Sequence, residues 1–244
     1  SIDINNVEPE KLEAKVNLTQ TGRSTSFDLF LSRGLWNQPV SADNSTIVAE
    51  LANGEQIPLV AAQKKGRYGF RTQGNLPVTS LSLEPVGTIE FPDMTEVVLN
   101  GIERFEGGSF FKDDILNLSL PSTQSDQRYL VATGYCGNQP FTAEQKISSN
   151  QVDLELPLSR IMNMVNQSAE ADLNGIIPIT LAIEERYIPV WPAPFVAGKI
   201  ATRDETQFSI DTSGFRFKAQ LTLKVAENAF FSFQNQHWDV RYCY

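Results

Sequence analysis

The chain has 244 residues, 41% hydrophobic and 20% charged, with no apolar run long enough to span a bilayer as a helix. That length favours two domains over one small sandwich. Twenty Lys and Arg against 29 Asp and Glu leave a net charge of -9, which repels a phosphate backbone unless a basic patch stands apart. The one local cluster, Lys64-Lys65 with Arg67, reads as a solvated turn that keeps a strand edge from pairing, so nucleic acid is not an expected partner. The chain begins at Ser1 without Met or a charged-then-apolar leader, and the expectation is a signal segment removed ahead of it, by processing or by how the sequence was cut.

Strict alternation of apolar and polar residues dominates, as it does where one face of a strand meets a core. Leu12, Ala14, Val16 and Leu18 form the first such set, and Phe27, Leu29 and Leu31 the second, after a Thr-Gly-Arg-Ser turn. They predict two antiparallel neighbours. Ile47, Ala49 and Leu51 lead into Asn53-Gly54, a dipeptide suited to a tight hairpin, and Ile57, Leu59 and Ala61 are expected to return along the partner strand. Tyr68 with Phe70, then Leu81 with Leu83, complete about six strands at sandwich-like spacing.

Between Pro85 and Gly108 prolines and glycines interrupt short apolar pieces, which places a domain boundary with a short hinge near residue 90. Beyond it come Leu116, Leu118 and Leu120, then Tyr129, Val131, Thr133 and Tyr135, then Val152, Leu154 and Leu156, each set spaced by two. After Pro157, Leu158, Ile161, Met162 and Val165 follow the spacing of one helical face and predict a short helix. Ile177 to Ile183 predict another strand, and alternation from Phe215 to Val225 a long one. Phe231 with Phe233, then Trp238, Val240 and Tyr242, predict final strands. The fold class is therefore all-β: two immunoglobulin-like β-sandwich domains in tandem, 1-90 and 91-244, the second larger and holding the helix.

The residues TIVAELANGEQIPLV, RYGF and a TSLSLE strand, then DILNLSLP, the segment Arg128 to Cys136 ending in Gly-Tyr-Cys, and a late strand-turn-strand from Ala197 to Ile210 resemble bacterial envelope lipoproteins with tandem immunoglobulin-like domains. The likeness spans most of the chain but rests on spaced hydrophobic and turn positions. It implies a periplasmic, outer-membrane or extracellular location and a lipid anchor upstream of Ser1. Such proteins generally lack an assigned activity. The first half departs from antibody-type domains, which place a Cys on each sheet about a buried Trp, because it has no Cys.

Catalytic chemistry finds little to work with. His237, the only histidine, is expected in a turn entering the last strand, and no Gly-x-Ser-x-Gly elbow presents a nucleophile. Two distant Cys and one His cannot close a structural zinc shell, and Asp113-Asp114 and Asp43 lack the spacing of a calcium loop, so neither metal nor cofactor is expected. A glycosidase pair could be sought in Glu170 with Asp172 or in Glu184 with Glu185, but charged outer-face positions explain both more simply. The sequons at Asn17, Asn44, Asn117 and Asn166 read as chance.

The segment Tyr187-Ile188-Pro189-Val190-Trp191-Pro192-Ala193-Pro194-Phe195 holds three aromatics on a proline-stiffened backbone. Tyr187, Trp191 and Phe195 either grip a sugar face or a peptide, or Trp191 and Phe195 plug the end of a sandwich. Cys136 and Cys243 each lie opposite an aromatic set, Tyr129/Tyr135 and Trp238/Tyr242, which allows a same-face bridge adding roughly 2–4 kcal/mol if their strands adjoin. Two buried thiols are the alternative. The function expected is a non-catalytic envelope protein acting as scaffold or protein-binding module, its partner an envelope protein or glycan. The alternative is a carbohydrate-binding module using residues 187-195.

Overall fold

The computed structural model describes residues 2–43, 46–74, 76–94, 97, 100–148, 150–196 and 198–213. The strands expected at 215–225 and 231–242, and with them His237 and Cys243, lie outside the described residues. Within them the chain is mostly β with one short α-helix, in open sheets arranged like a sandwich.

The first strands are β1 (Ile2–Asp3), β2 (Leu12–Thr21), β3 (Ser24–Arg33), β4 (Gln38–Ser41) and β5 (Ile47–Leu51). They are followed by β6 (Gln56–Pro58), β7 (Val60–Ala61), β8 (Arg67–Gln73), β9 (Val78–Leu83) and β10 (Gly87–Glu90). β2 and β3 pair antiparallel from Leu12↔Arg33 to Gln20↔Thr25, as their alternation predicts. Thr21 Oγ1 accepts hydrogen bonds from the backbone N–H groups of Arg23 and Ser24, which closes the turn between them. Tyr68 is buried on β8, where its hydroxyl donates to the Ala42 carbonyl and accepts from the Ala42 N–H.

The Asn53-Gly54 hairpin forms, with Gly54 at φ 81°, a value open to glycine. Its return arm does not stay on one partner. Gln56–Pro58 pairs with β5, and after Leu59 the chain crosses so that Val60 and Ala61 pair with β8. Leu59 is buried while Val60 and Ala61 are exposed, so the expected core position at Ala61 is on the surface. A proline at 58 supplies no N–H for a continued ladder.

The remaining elements are β11 (Ser109–Phe111), β12 (Ile115–Ser119), β13 (Gln127–Cys136), β14 (Gln139–Ile147) and β15 (Asp153–Pro157). Then come α1 (Leu158–Ala169), β16 (Ile176–Tyr187), β17 (Phe195–Val196) and β18 (Ile200–Asp211). All four residues of the predicted helical stripe, Leu158, Ile161, Met162 and Val165, are buried. Pro157 occupies the N-cap position in an extended conformation, without a side-chain cap bond, and Glu170 ends the helix in a left-handed conformation.

Two compact units divide these elements. Unit 1 takes 1–99, 123–128 and 184–204, and unit 2 takes 100–122, 129–183 and the described residues from 205 onward. The chain first passes between them at residue 100, and again at 123, 129, 184 and 205.

In unit 1 one sheet follows the order β1-β4-β3-β2-β18, and the other runs β10-β9-β5-β6. Leu18, Leu29, Leu31, Ile47, Leu81, Leu83 and Ile89 fill the core of this unit. The second edge of β2 is taken in parallel, by β17 at Ala14 and Lys15 and by β18 from Leu18 to Thr21. Alternation alone does not reveal such a pairing, because its partners are nearly 200 residues apart and no local turn links them.

Unit 2 is built on the path β18-β16-β13-β14, on the antiparallel pair β12–β15, and on α1. Leu130, Ala132, Phe141, Leu154, Leu156, Ile161, Leu181 and Phe208 belong to its core. The parity of β13 differs from the expected one. Leu130 and Ala132 join that core, whereas Tyr135, expected on the apolar face, is 71% exposed. A tyrosine tolerates that position because its ring carries a polar end.

Candidate functional site

Three places bear on function: the acidic pair on β16, the proline-rich strip, and the turn between β3 and β4. Glu184 and Glu185 were expected on an outer face, and the structure corrects this. They are 0% and 1% exposed. Consecutive residues of a strand point to opposite faces, so each carboxylate is buried on its own side.

Glu185 shares its face with Tyr187, a member of the unit 1 core. Its Oε1 lies 2.6 Å from Arg128 Nε, and its Oε2 accepts a 2.5 Å hydrogen bond from Ser125 Oγ. Glu184 faces the other way. Arg186 Nε stands 2.6 Å from its Oε1, while Lys199 Nζ at 3.3 Å and Arg203 Nε at 3.4 Å share its Oε2. All of these residues belong to unit 1.

Burying a carboxylate is costly unless it is paired and hydrogen-bonded, and both are. Facing opposite ways, the two cannot act on one substrate from a shared cleft, so the arrangement is one of internal ion pairs. Sequence patterning missed their burial because two adjacent acids at a strand end look like a solvated rim. The signal available was the supply of cations: Arg186 on the same strand, Arg128 and Arg203 on the neighbouring β13 and β18, and Lys199 just before β18.

The aromatic strip is largely packed inward. Tyr187 and Phe195 are buried in the unit 1 core, and Trp191 packs against that core while keeping partial exposure. Of the three rings only that of Trp191 keeps partial exposure, while Ile188 and Val190 point outward. Backbone pairing explains it. Phe195 opposes Ala14 in the parallel β17–β2 ladder, and Ala14 N–H donates to the Pro194 carbonyl, which turns the Phe195 ring into the core.

Two glycines mark close backbone approaches, Gly198 to β2 and Gly69 of β8 to β3. A Cβ at Gly198 would overlap the Val16 carbonyl, and one at Gly69 would overlap the Phe27 carbonyl. Beside the first, Lys199 N–H donates to Asn17 Oδ1 at 3.0 Å, and Leu18 N–H donates to the Lys199 carbonyl. Asn17, the acceptor of a sequon, is thus engaged in holding the chain.

The β3–β4 turn was not singled out by alternation. Arg33↔Gln38 closes the ladder, Asn37 N–H donates to the Gly34 carbonyl, and Gly34 and Asn37 take positive φ of 65° and 47°. Between them Leu35 and Trp36 stand 99% and 88% exposed. Leaving two large apolar side chains in water on an ordered turn gives the fold nothing. A Gly-x-x-Asn turn enclosing Leu-Trp between strands was the signal in the sequence.

Cys136 lies half-buried on β13, on the side of the unit 2 core and opposite Tyr135. Its pairing with Cys243 lies outside the described residues. Asp114 accepts a hydrogen bond from Phe111 N–H in a turn, and Glu170 and Asp172 are exposed. Among the described residues, no three His, Cys, Asp or Glu side chains converge as a metal site, and no helix is long and apolar enough to cross a membrane. No protein-family model and no curated protein sequence matches this chain.

Proposed function

We propose that the protein is a non-catalytic binding module of the cell envelope that engages a protein partner through the Leu35-Trp36 turn. The observation carrying this reading is the near-complete exposure of both side chains on a hydrogen-bonded turn. A convex, narrow apolar tip fits a concave apolar pocket, where a Trp contributes large contact area with few rotatable bonds to freeze. The non-catalytic part of the reading is supported by Glu184 and Glu185, which are bound to cations on opposite faces of one strand.

The envelope location, the upstream lipid anchor and the immunoglobulin-like character of the two units belong to the same proposal. They draw on the resemblance in sequence and on the two-sheet core of unit 1. Fractionation of the native organism tests the location: a membrane or periplasmic pool agrees with it, and a cytosolic pool overturns it. A photo-crosslinking amino acid at position 36, expressed in that organism, tests the site. The expected result is one discrete adduct, identified by mass and lost in the Leu35→Ser variant. A smear of adducts unaffected by that change overturns the assignment.

A further inference from the structure

We infer that unit 2 carries a binding site for a neutral saccharide, in an open cleft across the outer face of β13, β14, β16 and β18. Along β13, β16 and β18, Thr133, Tyr135, Thr180 and Gln207 alternate with the core residues Ala132, Ile179 and Phe208, and the last two also border the cleft, with Phe141 of β14. Together with Thr142 and Ser209 they border a cleft of about 670 Å³, within the range of small-molecule sites.

The chemistry of the lining selects the ligand class. In a chain where 20% of residues are charged and the net charge is -9, none of the described residues lining the cleft carries a charge. Nothing there attracts a phosphate, an acidic peptide or a basic one. What the cleft does offer is hydroxyls on Thr133, Thr142, Thr180 and Ser209 and the Gln207 amide, groups that both donate and accept. A saccharide hydroxyl also does both, so the two surfaces match without leaving a buried charge.

Tyr135 supplies the other half of the match. Its ring is 71% exposed at the cleft, an apolar platform with a polar edge, of the kind on which the C–H face of a sugar ring can lie. This site is separate in sequence from the Tyr187 to Phe195 strip, whose rings pack in unit 1, and it does not depend on the Leu35-Trp36 turn.

The test uses the full chain on an array of neutral oligosaccharides of glucose, galactose, mannose and N-acetylglucosamine beside sialylated, uronate and sulfated ones. The best neutral binder is then titrated in solution. Tyr135→Ala is expected to weaken that binding by about tenfold, the equivalent of one lost aromatic contact. Tyr135→Phe is expected to keep most of it, and Thr180→Asp to abolish it. Val60→Ser, at an exposed position of unit 1 outside both the cleft and the Leu35-Trp36 turn, is expected to change nothing. Circular dichroism confirms that each variant is folded. No neutral saccharide bound at millimolar concentration, a preference for charged sugars, or full binding by folded Tyr135→Ala would each overturn the site.

Discussion

Arg128 and Glu185 lie 57 positions apart in sequence, yet Nε meets Oε1 at 2.6 Å with both side chains 2% exposed. The pair belongs to unit 1, and Ser125 occupies the second carboxylate oxygen. Removing Glu185 takes from the buried Arg128 the carboxylate that its Nε meets. Glu185→Ala is expected to lower unfolding free energy by about 3–5 kcal/mol, read from urea denaturation. Joint replacement by Arg128→Met and Glu185→Leu is expected to recover most of that loss, because it removes both desolvation penalties. A double variant as unstable as the single one would show that the pair is needed for more than mutual neutralisation.

At Gly198 the difficulty is steric. A methyl group there overlaps the Val16 carbonyl, and backbone cannot rotate aside as a side chain can. Gly198→Ala is expected to cost about 1–3 kcal/mol or more. Thermal unfolding by circular dichroism measures it, with Gly22→Ala, where nothing lies within 4 Å of the new methyl, as the comparison.

The proline-rich strip gives a contrast between neighbouring positions. Phe195→Ala is expected to destabilise by about 3–5 kcal/mol, since its ring is buried in the unit 1 core. Ile188→Ser and Val190→Ser, both at exposed positions, are expected to stay within about 0.5 kcal/mol of the parent chain. Chemical denaturation of the three variants checks the order.

Trp36→Ala offers a sharper separation of binding from stability. With the side chain 88% exposed, the substitution is expected to shift unfolding by no more than about 0.5 kcal/mol. Partner capture at the tip is expected to be lost. A large drop in stability would mean that Trp36 packs on the fold, contrary to its role as a contact for another protein.

The strands at Leu12 to Leu18, Phe27 to Leu31 and Ile177 to Leu181, and the helix at Leu158 to Val165, are legible in the sequence. Each buries one face, and burial on one face writes a period into neighbouring residues. The Asn53-Gly54 hairpin is legible for a related reason, since its backbone demand is local.

Where both faces of a strand are covered, the period fails. Leu181, Ala182, Ile183, Glu184 and Glu185 are all buried in succession, so two of the most protected side chains in the molecule carry the residue type most often left in water. The same loss of period misled the assignment on β13, where Leu130, Val131 and Ala132 are all buried and the face of Tyr135 is open.

By itself, then, the sequence determined that the chain is β-rich, where its one-sided strands and its helix begin, and which turns close them. Those features answer to contacts between residues near one another along the chain. The tertiary structure alone decided that β17 and β18 join β2 in parallel, that Arg128 meets Glu185, and that the rings of Tyr187 and Phe195 turn inward. These depend on which strands become neighbours across long separations. Side-chain alternation carries no information about that choice, because a strand with one apolar face can satisfy it beside many different partners.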